Sequence, residues 1–428
     1  MTSIDIRHGD CLEVLRSLPD NSVDSVTTDP PYGLSNTKPA QVADVLAAWV
    51  TGDTEAVPAK KGGFMGKDWD SFVPPPAVWA ECLRVLKPGG HMAVFAGSRT
   101  QDLMGLSIRL AGFEIRDTLG WVYGSGFPKS MDVSKAIDKA VGAEREKVRT
   151  RITPNTTAGK GFSNEQDERP WMTAARRRGF HEHDSSTPAP DEAQRWDGWG
   201  TALKPAIEPI ILARKPLDGT VAANVLAHGV GGLNIDASRV GTTGARNNGR
   251  KKDSDIYGDF GACARVEYNK GRFPANVLLD EHAAEEMDKQ SGNFSGVVSG
   301  MKQTGGKVTF TVGDTPSKKQ FTPSSQHVKD YGGASRFFPV FKYQAKAPKR
   351  ERPVIEREDG TKIQHPTVKP LSLMSWIVTL ITPEGGTTLD PFAGTGTTLQ
   401  AARDKGFGAI GVEQDEDYIA LIEQRLGA

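Results

Sequence analysis

Two short stretches carry residues whose types and spacing could do chemistry. In "SVTTDPPYGLS" (residues 25–35), Asp29, Pro30, Pro31 and Tyr32 follow directly on a β-favouring run. The two prolines remove two backbone donors and hold φ near about −65°, so the tetrapeptide continues neither helix nor sheet and must form a stiff corner. Corners at strand ends are where α/β proteins place chemistry. In "LDPFAGTGTT" (389–398), Gly394 and Gly396 stand between a strand signal ending near Asp390 and a helix signal starting at Thr397 or Thr398. Missing Cβ atoms there let backbone approach a ligand closely. An acid that binds ribose hydroxyls should end the next strand, and Glu413 sits there, seventeen residues after Gly396. The third glycine of a dinucleotide fingerprint is replaced by Leu399, which argues against a dehydrogenase. Alone, the turn fits a nucleotide, a dinucleotide or simple tight packing.

The elements that must position these residues are α/β in pattern. From 1 to about 120 the chain reads strand "SIDIRHG", helix "CLEVLRSLP" and strand "VDSVTTD". A loop containing "KKGGFMGKDW" follows, then a helix at "PAVWAECLRVL", a turn "KPGG" and a strand "HMAVFAG". "AIEPIILARK" (206–215) reads as one strong strand, and the last sixty residues return to a strand–turn–helix–strand–helix pattern. Between these lie two loop-rich stretches of weak periodicity, about 126–200 and 241–336. "TVAANVLAHG" (220–229) and "GRFPANVLLDEH" (271–282) echo each other and read as two similar packing elements.

Composition narrows the class. The 428 residues exceed one minimal domain, and the longest apolar runs, such as "MSWIVTLI" (374–381), fall far short of the ~20 residues a bilayer span needs. The N-terminus lacks a signal-peptide apolar region, and Cys11, Cys82 and Cys263 lie far apart with no paired spacing. A cytoplasmic protein without a disulfide framework is expected. No His, Cys and acid cluster has ligand spacing, so no metal is expected. Net charge is zero, yet residues 121–370 hold 39 Lys and Arg against 30 Asp and Glu, a net of +9, which leaves 14 against 23 in the flanks. The basic runs "EREKVRTR" (144–151), "RRR" (176–178), "RNNGRKK" (246–252) and "KAPKRERP" (346–353) accompany Trp171, Trp196 and Trp199. Such a middle is either plain solvated surface or a face for phosphates and bases.

Taken in order, Asp29-Pro30-Pro31-Tyr32, "HPTVKPLSLM" (365–374) and "LDPFAGTGTT" resemble the β-class amino-methyltransferases of DNA. "GFPKSMDVSKAID" (126–138) and "LKPAIEPIILARKPL" (203–217) are similar to the branch of that family found in bacteria and bacteriophages. The resemblance covers both ends of the chain and the basic middle in fragments. It implies a doubly wound, Rossmann-like α/β methyltransferase sheet with a circularly permuted motif order and a large inserted recognition region. It divides the chain into a catalytic half (1–125), a loop-rich DNA-contact insertion (126–200), a core strand (201–217), a target-recognition region (218–350) and a cofactor half (351–428). Strands ending at Asp29 and Asp390 would then be neighbours.

The implied cofactor is S-adenosylmethionine. On the resemblance, Gly394, Gly396 and Thr397 would form its turn, Glu413 would hold its ribose and Phe392 would pack against it. Asp10 would lie near the adenine edge, Asp29 and Asp390 would border the pocket, and Lys369 and Ser372 would meet the methionyl carboxylate. Asp10 and Ser372 also read as ordinary helix-start residues. The implied partner is double-stranded DNA, with a homodimer as an option. The implied chemistry explains the corner. An exocyclic amine is a poor nucleophile, because its lone pair is delocalised into the ring. Two acceptors on its N–H groups, the Asp29 carboxylate and the Pro30 carbonyl, would draw nitrogen toward tetrahedral geometry while Tyr32 offers a ring to an extruded base. Asp29 favours adenine N6. Cytosine N4, a protein glutamine amide, and an idle DNA-binding protein that blocks restriction are the alternatives.

Overall fold

The run "VDSVTT" forms β2 (Val23–Thr28), buried along its whole length at the middle of a sheet. The computed structural model describes residues 3–35, 37–58, 70–124, 126, 130–145, 147–151, 180–184, 188, 190–241, 245–246, 267–268, 271–292, 294–295, 331–341, 353–357, 359–365 and 367–427. Trp171, the basic runs at 176–178 and 251–252, nearly all of 346–353, and 60–69 lie outside these residues. The chain divides into two units, Met1–Ser125 with Ala206–Ala428, and Gly126–Pro205.

In the first unit β1 (Ile4–His8), β2, β3 (Leu86–Phe95), β4 (Glu114–Val122), β5 (Ile207–Arg214), β6 (Val277–Asp280), β7 (Val340–Phe341), β8 (Thr387–Asp390) and β9 (Gly408–Glu413) form one sheet. Its order is β1-β9-β8-β2-β3-β5-β4-β6-β7. Every neighbouring pair is parallel except those of β5, which runs antiparallel to both β3 and β4. The carboxyl ends of β2, β3, β8 and β9 therefore share one edge with the amino end of β5.

Alternating side chains send the sheet's apolar residues to two layers. Met92, Val94, Ile211 and Ala213 join one core with Leu15 of α1 (Cys11–Ser17), Trp79 and Val85 of α3 (Pro76–Val85) and Ile108 of α4 (Gln101–Leu110). Ala93, Phe95, Ile210 and Leu212 join the other with Leu373, Ile377 and Ile381 of α7 (Leu371–Ile381) and Leu399 of α8 (Thr397–Asp404). At roughly 1.5–3 kcal/mol per buried aliphatic side chain, these two layers hold the sheet edge rigid from both faces. The unit also contains α2 (Pro39–Thr51), α5 (Val221–His228), α6 (Glu281–Ser291) and α9 (Glu416–Leu426).

Three expectations about elements change. "KPGG" is part of β3, not a turn: Gly89 has φ +77°, and register slips between Val23↔Leu86 and Ser25↔His91, so the stretch is a bulge. A Cβ on Gly89 would fall 2.3 Å from the Asn224 side chain, so only glycine fits. The two "ANVL" echoes are not similar elements. At 223–226 the tetrapeptide is helical behind the Thr220 cap, whereas Val277 and Leu278 pair with Gly120 and Trp121 as a strand. Tertiary pairing overrides local preference there. The stretch between β2 and α3, expected as loop, instead holds the helix α2, which begins with Pro39 and buries Val45 and Trp49.

The second unit contains an antiparallel pair of strands, Lys147–Arg151 with Phe180–Asp184, and helices Val133–Val141 and Asp191–Arg195. Its buried Arg145 bonds Asp138 and donates to Ser134 Oγ at 2.7 Å. Trp196 and Trp199 meet edge to face at 5.2 Å and are both exposed.

Candidate active site

The corner after β2 is fixed from several sides. Thr100 Oγ1 donates to the Tyr32 carbonyl at 2.6 Å, and Gly33 N donates to Asp70 Oδ1 at 2.8 Å. Gly33 has φ +67°, and a Cβ there would lie 2.8 Å from the Val73 backbone nitrogen, so the chain turns on glycine. Among the described residues nothing donates to the Pro30 carbonyl. The prolines thus leave one acceptor unspent at the sheet edge, beside the Asp29 carboxylate.

Asp29 stands in a cluster of four. Lys369 Nζ lies 2.6 Å from Asp29 Oδ2 and 3.4 Å from Glu208 Oε2. The Tyr32 hydroxyl lies 2.8 Å from Asp29 Oδ1 and 3.2 Å from Glu208 Oε2. Lys369 is only 9% exposed, and its ammonium sits 4.9 Å from the centre of the Phe95 ring and 5.3 Å from that of Tyr32. Burial pulls the Lys369 pKa down, but Asp29 and Glu208 more than offset that, so it ends above the usual lysine value and keeps its charge. Burial, then Asp29 and Glu208, push the Tyr32 phenol well above its ordinary range, so it stays protonated. With two carboxylates and one ammonium, the cluster carries a net charge of −1. Each Asp29 oxygen has one bond from the protein and a second lone pair free to accept another donor.

The glycine-rich turn lies along the same edge. Thr388 and Leu389 pair with Ser25 and Val26, so β8 and β2 are neighbours. Across 362 residues of sequence, Thr28 Oγ1 donates to Asp390 Oδ1 at 2.7 Å. Burial raises the Asp390 pKa to about 6 against the donors from Thr398, Thr28 and the Phe392 backbone. Phe392 packs against the Trp79 ring with centres 6.3 Å apart. Gly394 N donates to Glu413 Oε2 at 2.8 Å, while Gln414 N and Asp415 N donate to Oε1 at 2.9 and 3.0 Å. These donors orient the carboxylate, and burial still lifts its pKa to about 7. Gly394 and Gly396 have φ +54° and +72°. A Cβ on Gly396 would fall 2.9 Å from Ile422 of α9, so this glycine has a packing reason of its own, whereas one on Gly394 would make only ordinary contact with His365 at 3.5 Å.

The structure brings Asp29, Pro30, Pro31, Tyr32, Lys369 and Asp390 to one edge, with Phe392, Gly394, Gly396, Thr397 and Glu413 along the adjoining turn. Thr397 is buried as the first residue of α8. Lys369 bonds Asp29 and Glu208, a pairing not expected from the sequence. Asp10 caps α1, its Oδ1 accepting from Leu12 N at 2.9 Å and Glu13 N at 3.2 Å. Ser372 is exposed in the first turn of α7. Glu208 and Thr100 were not singled out from the sequence. The signal for Glu208 is a lone acid in the apolar run "AIEPIILAR", but only the reversed direction of β5 brings it to this edge.

The ligand set of this edge fits S-adenosylmethionine. A sulfonium cation suits a cluster of net charge −1, and a ribose diol suits a carboxylate already oriented by three backbone donors. No helix among the described residues is long and apolar enough to cross a membrane, and no group of three metal-ligating side chains occurs among them.

Comparison with known proteins agrees in kind. The chain is 40% identical over 65 residues to the type II methyltransferase M2.DpnII of Streptococcus pneumoniae, covering 15% of this chain and 24% of that one. It is 43% identical over 63 residues to the type II methyltransferase M.HindIII of Haemophilus influenzae, covering 15% and 20%. The chain thus spans about a quarter or less of the length of these relatives. The solved complex of M1.HpyAVI with SAM aligns over 99% of this chain and 100% of that one at 13% identity and a TM-score of 0.39, too loose a likeness to carry an argument. A family model described as DNA methylase matches residues 23–424, nearly the whole length, and the chain belongs to this N6/N4 DNA methylase family.

Proposed function

We propose that the chain transfers a methyl group from S-adenosylmethionine to the N6 amine of an adenine turned out of double-stranded DNA. The observation that carries this reading is the Asp29 corner: a carboxylate held by Tyr32 and Lys369 beside a Pro30 carbonyl to which no described residue donates. Two preorganised acceptors on one amine polarise its N–H bonds and aim its lone pair, and single acceptors of this kind are worth roughly 10²- to 10³-fold in rate. The cofactor supplies an electrophilic methyl group on a sulfonium. Gly394 and Glu413 would hold its ribose, Phe392 would pack against it, and the net negative charge around Asp29 would face the sulfonium. Lys369 neutralises one carboxylate without cancelling the cluster, and it locks the Asp29 plane.

Asp29 at the first position of the tetrapeptide supports adenine, because family members acting on cytosine N4 more often have serine there. Turning a base out of the duplex costs a few kcal/mol. We assign the compensating phosphate contacts to the basic middle of the chain, across 126–200 and 218–350. The test is incubation of unmethylated genomic DNA with the protein and labelled S-adenosylmethionine, digestion to nucleosides and mass spectrometry. N6-methyladenine is expected. N4-methylcytosine would correct the base, and no labelled nucleoside would refute the reaction.

A further inference from the structure

The geometry points to Glu208 as the terminal proton acceptor of this reaction, reached from Asp29 through the Tyr32 hydroxyl, an inference that rests on the methyl-transfer reading above. Transfer forms an N–CH3 bond and breaks an S–CH3 bond, so the positive charge passes from sulfur to the amine nitrogen. The amine must then lose one N–H proton, and that bond's electron pair stays on nitrogen. Asp29, the acceptor on the amine, receives the proton. Protonated at Oδ1, Asp29 becomes the donor to the Tyr32 oxygen. The phenol has a single proton and two acceptors in reach, at 2.8 and 3.2 Å. Once Asp29 donates, the Tyr32 proton must turn to Glu208 Oε2. The phenol gives that proton to Glu208 and takes the one from Asp29, which restores the Asp29 carboxylate for the next turnover. Phenolate never accumulates, in keeping with the raised pKa of Tyr32.

Glu208 is suited to end such a path. Its side chain is 24% exposed, so it can pass the proton to water, whereas Lys369 at 10% is sealed and already fully protonated. Glu208 is faced by Tyr32 from the corner after β2 and by Lys369 from the segment ahead of α7. Asp29 meets the same two groups, and His365 interacts electrostatically with Asp29 and Lys369. Because β5 alone runs antiparallel to its neighbours, its amino end delivers a carboxylate where the adjacent strands deliver their carboxyl ends.

Single-turnover methyl transfer to unmethylated genomic DNA, measured across pH, tests this. Glu208→Gln should lower the rate by about 10²-fold, the scale of one general base. The acidic limb of log rate against pH should lose about one unit of slope, since one carboxylate fewer must be ionised, while the affinity for DNA stays within about threefold. Tyr32→Phe keeps the ring and cuts the same path, so the double variant should be no slower than the worse single one. Multiplicative losses in the double variant, or E208Q matching wild type in rate and slope, would overturn the relay and leave methyl transfer standing. A wild-type chain that methylates no DNA would overturn both.

Discussion

Replacing Lys369 by methionine removes the only ammonium that, among the described residues, bonds the Asp29 cluster, while keeping most of the side-chain volume. At an effective dielectric constant near 20, an ammonium 2.6 Å from Asp29 and 3.4 Å from Glu208 gains about 6 and about 5 kcal/mol respectively, before the cost of burying the charges. Desolvation cancels much of this, and breaking a buried pair on one side typically costs about 3–5 kcal/mol because the partner charge is left behind. K369M should therefore destabilise the folded chain by about that amount, read as a lower urea midpoint. The sign with pH is fixed. The Lys369 pKa is raised on folding, so its contribution is fully present below the unfolded lysine value and is lost only as pH climbs through the higher folded one. Adding E208Q removes one of the two stranded charges and should recover roughly 1–3 kcal/mol. An unchanged midpoint together with a weakened affinity for S-adenosylmethionine by calorimetry would refute this reasoning. It would return Lys369 to the role of a cofactor carboxylate ligand.

Asp29→Ala should abolish at least 10²- to 10³-fold of the methyl-transfer rate, by labelled transfer and nucleoside mass spectrometry, while the affinity for the cofactor falls by no more than about tenfold. Gly396→Ala should destabilise the chain by about 2–4 kcal/mol in urea denaturation, since it adds a left-handed conformational cost to a contact with Ile422; a second substitution, Ile422→Ala, should recover the packing share alone. The Glu413 carboxyl, raised by burial to about 7, must be ionised to accept ribose hydroxyls, so affinity for S-adenosylmethionine should rise with pH up to about 7 and then level off. Glu413→Gln should flatten that profile, and a pH-independent affinity in the unsubstituted chain would count against the ribose assignment.

What the sequence made legible was what local chemistry encodes. The Asp-Pro-Pro-Tyr corner, the strand–glycine–helix turn and the acid ending β9 follow from proline and glycine geometry and from the order of apolar runs, whereas the pairing of β8 with β2 was expected only from the family resemblance. What stayed hidden depends on tertiary direction. No periodicity says that β5 runs against its neighbours, so Glu208 read as an isolated acid in a strand. Lys369 read as a ligand for the cofactor because its partners lie 340 and 161 residues away in sequence. The same limit explains "ANVL", which is helix at one site and strand at another because only the latter meets β4. Gly396 was legible as glycine but not for its reason, since the Ile422 contact belongs to a helix twenty residues on.

One sheet edge gathers four acids, Asp29, Glu208, Asp390 and Glu413, and a single buried lysine. Such an arrangement is costly, and the costs are visible: burial lifts Asp390 to about 6 and Glu413 to about 7, and Asp29 adds to the rise at Asp390. A protein that needed only a stable sheet would gain by making these positions neutral or apolar. Glu413 is oriented by three backbone N–H groups, Asp390 by Thr28, Thr398 and the Phe392 backbone, and Asp29 by one phenol and one ammonium, each set fixing a carboxylate. An edge built this way prefers a ligand that brings a cation and several donors at once. A sulfonium with a ribose diol is such a ligand, and under the proposed function an amine presented to Asp29 and the Pro30 carbonyl would complete the set.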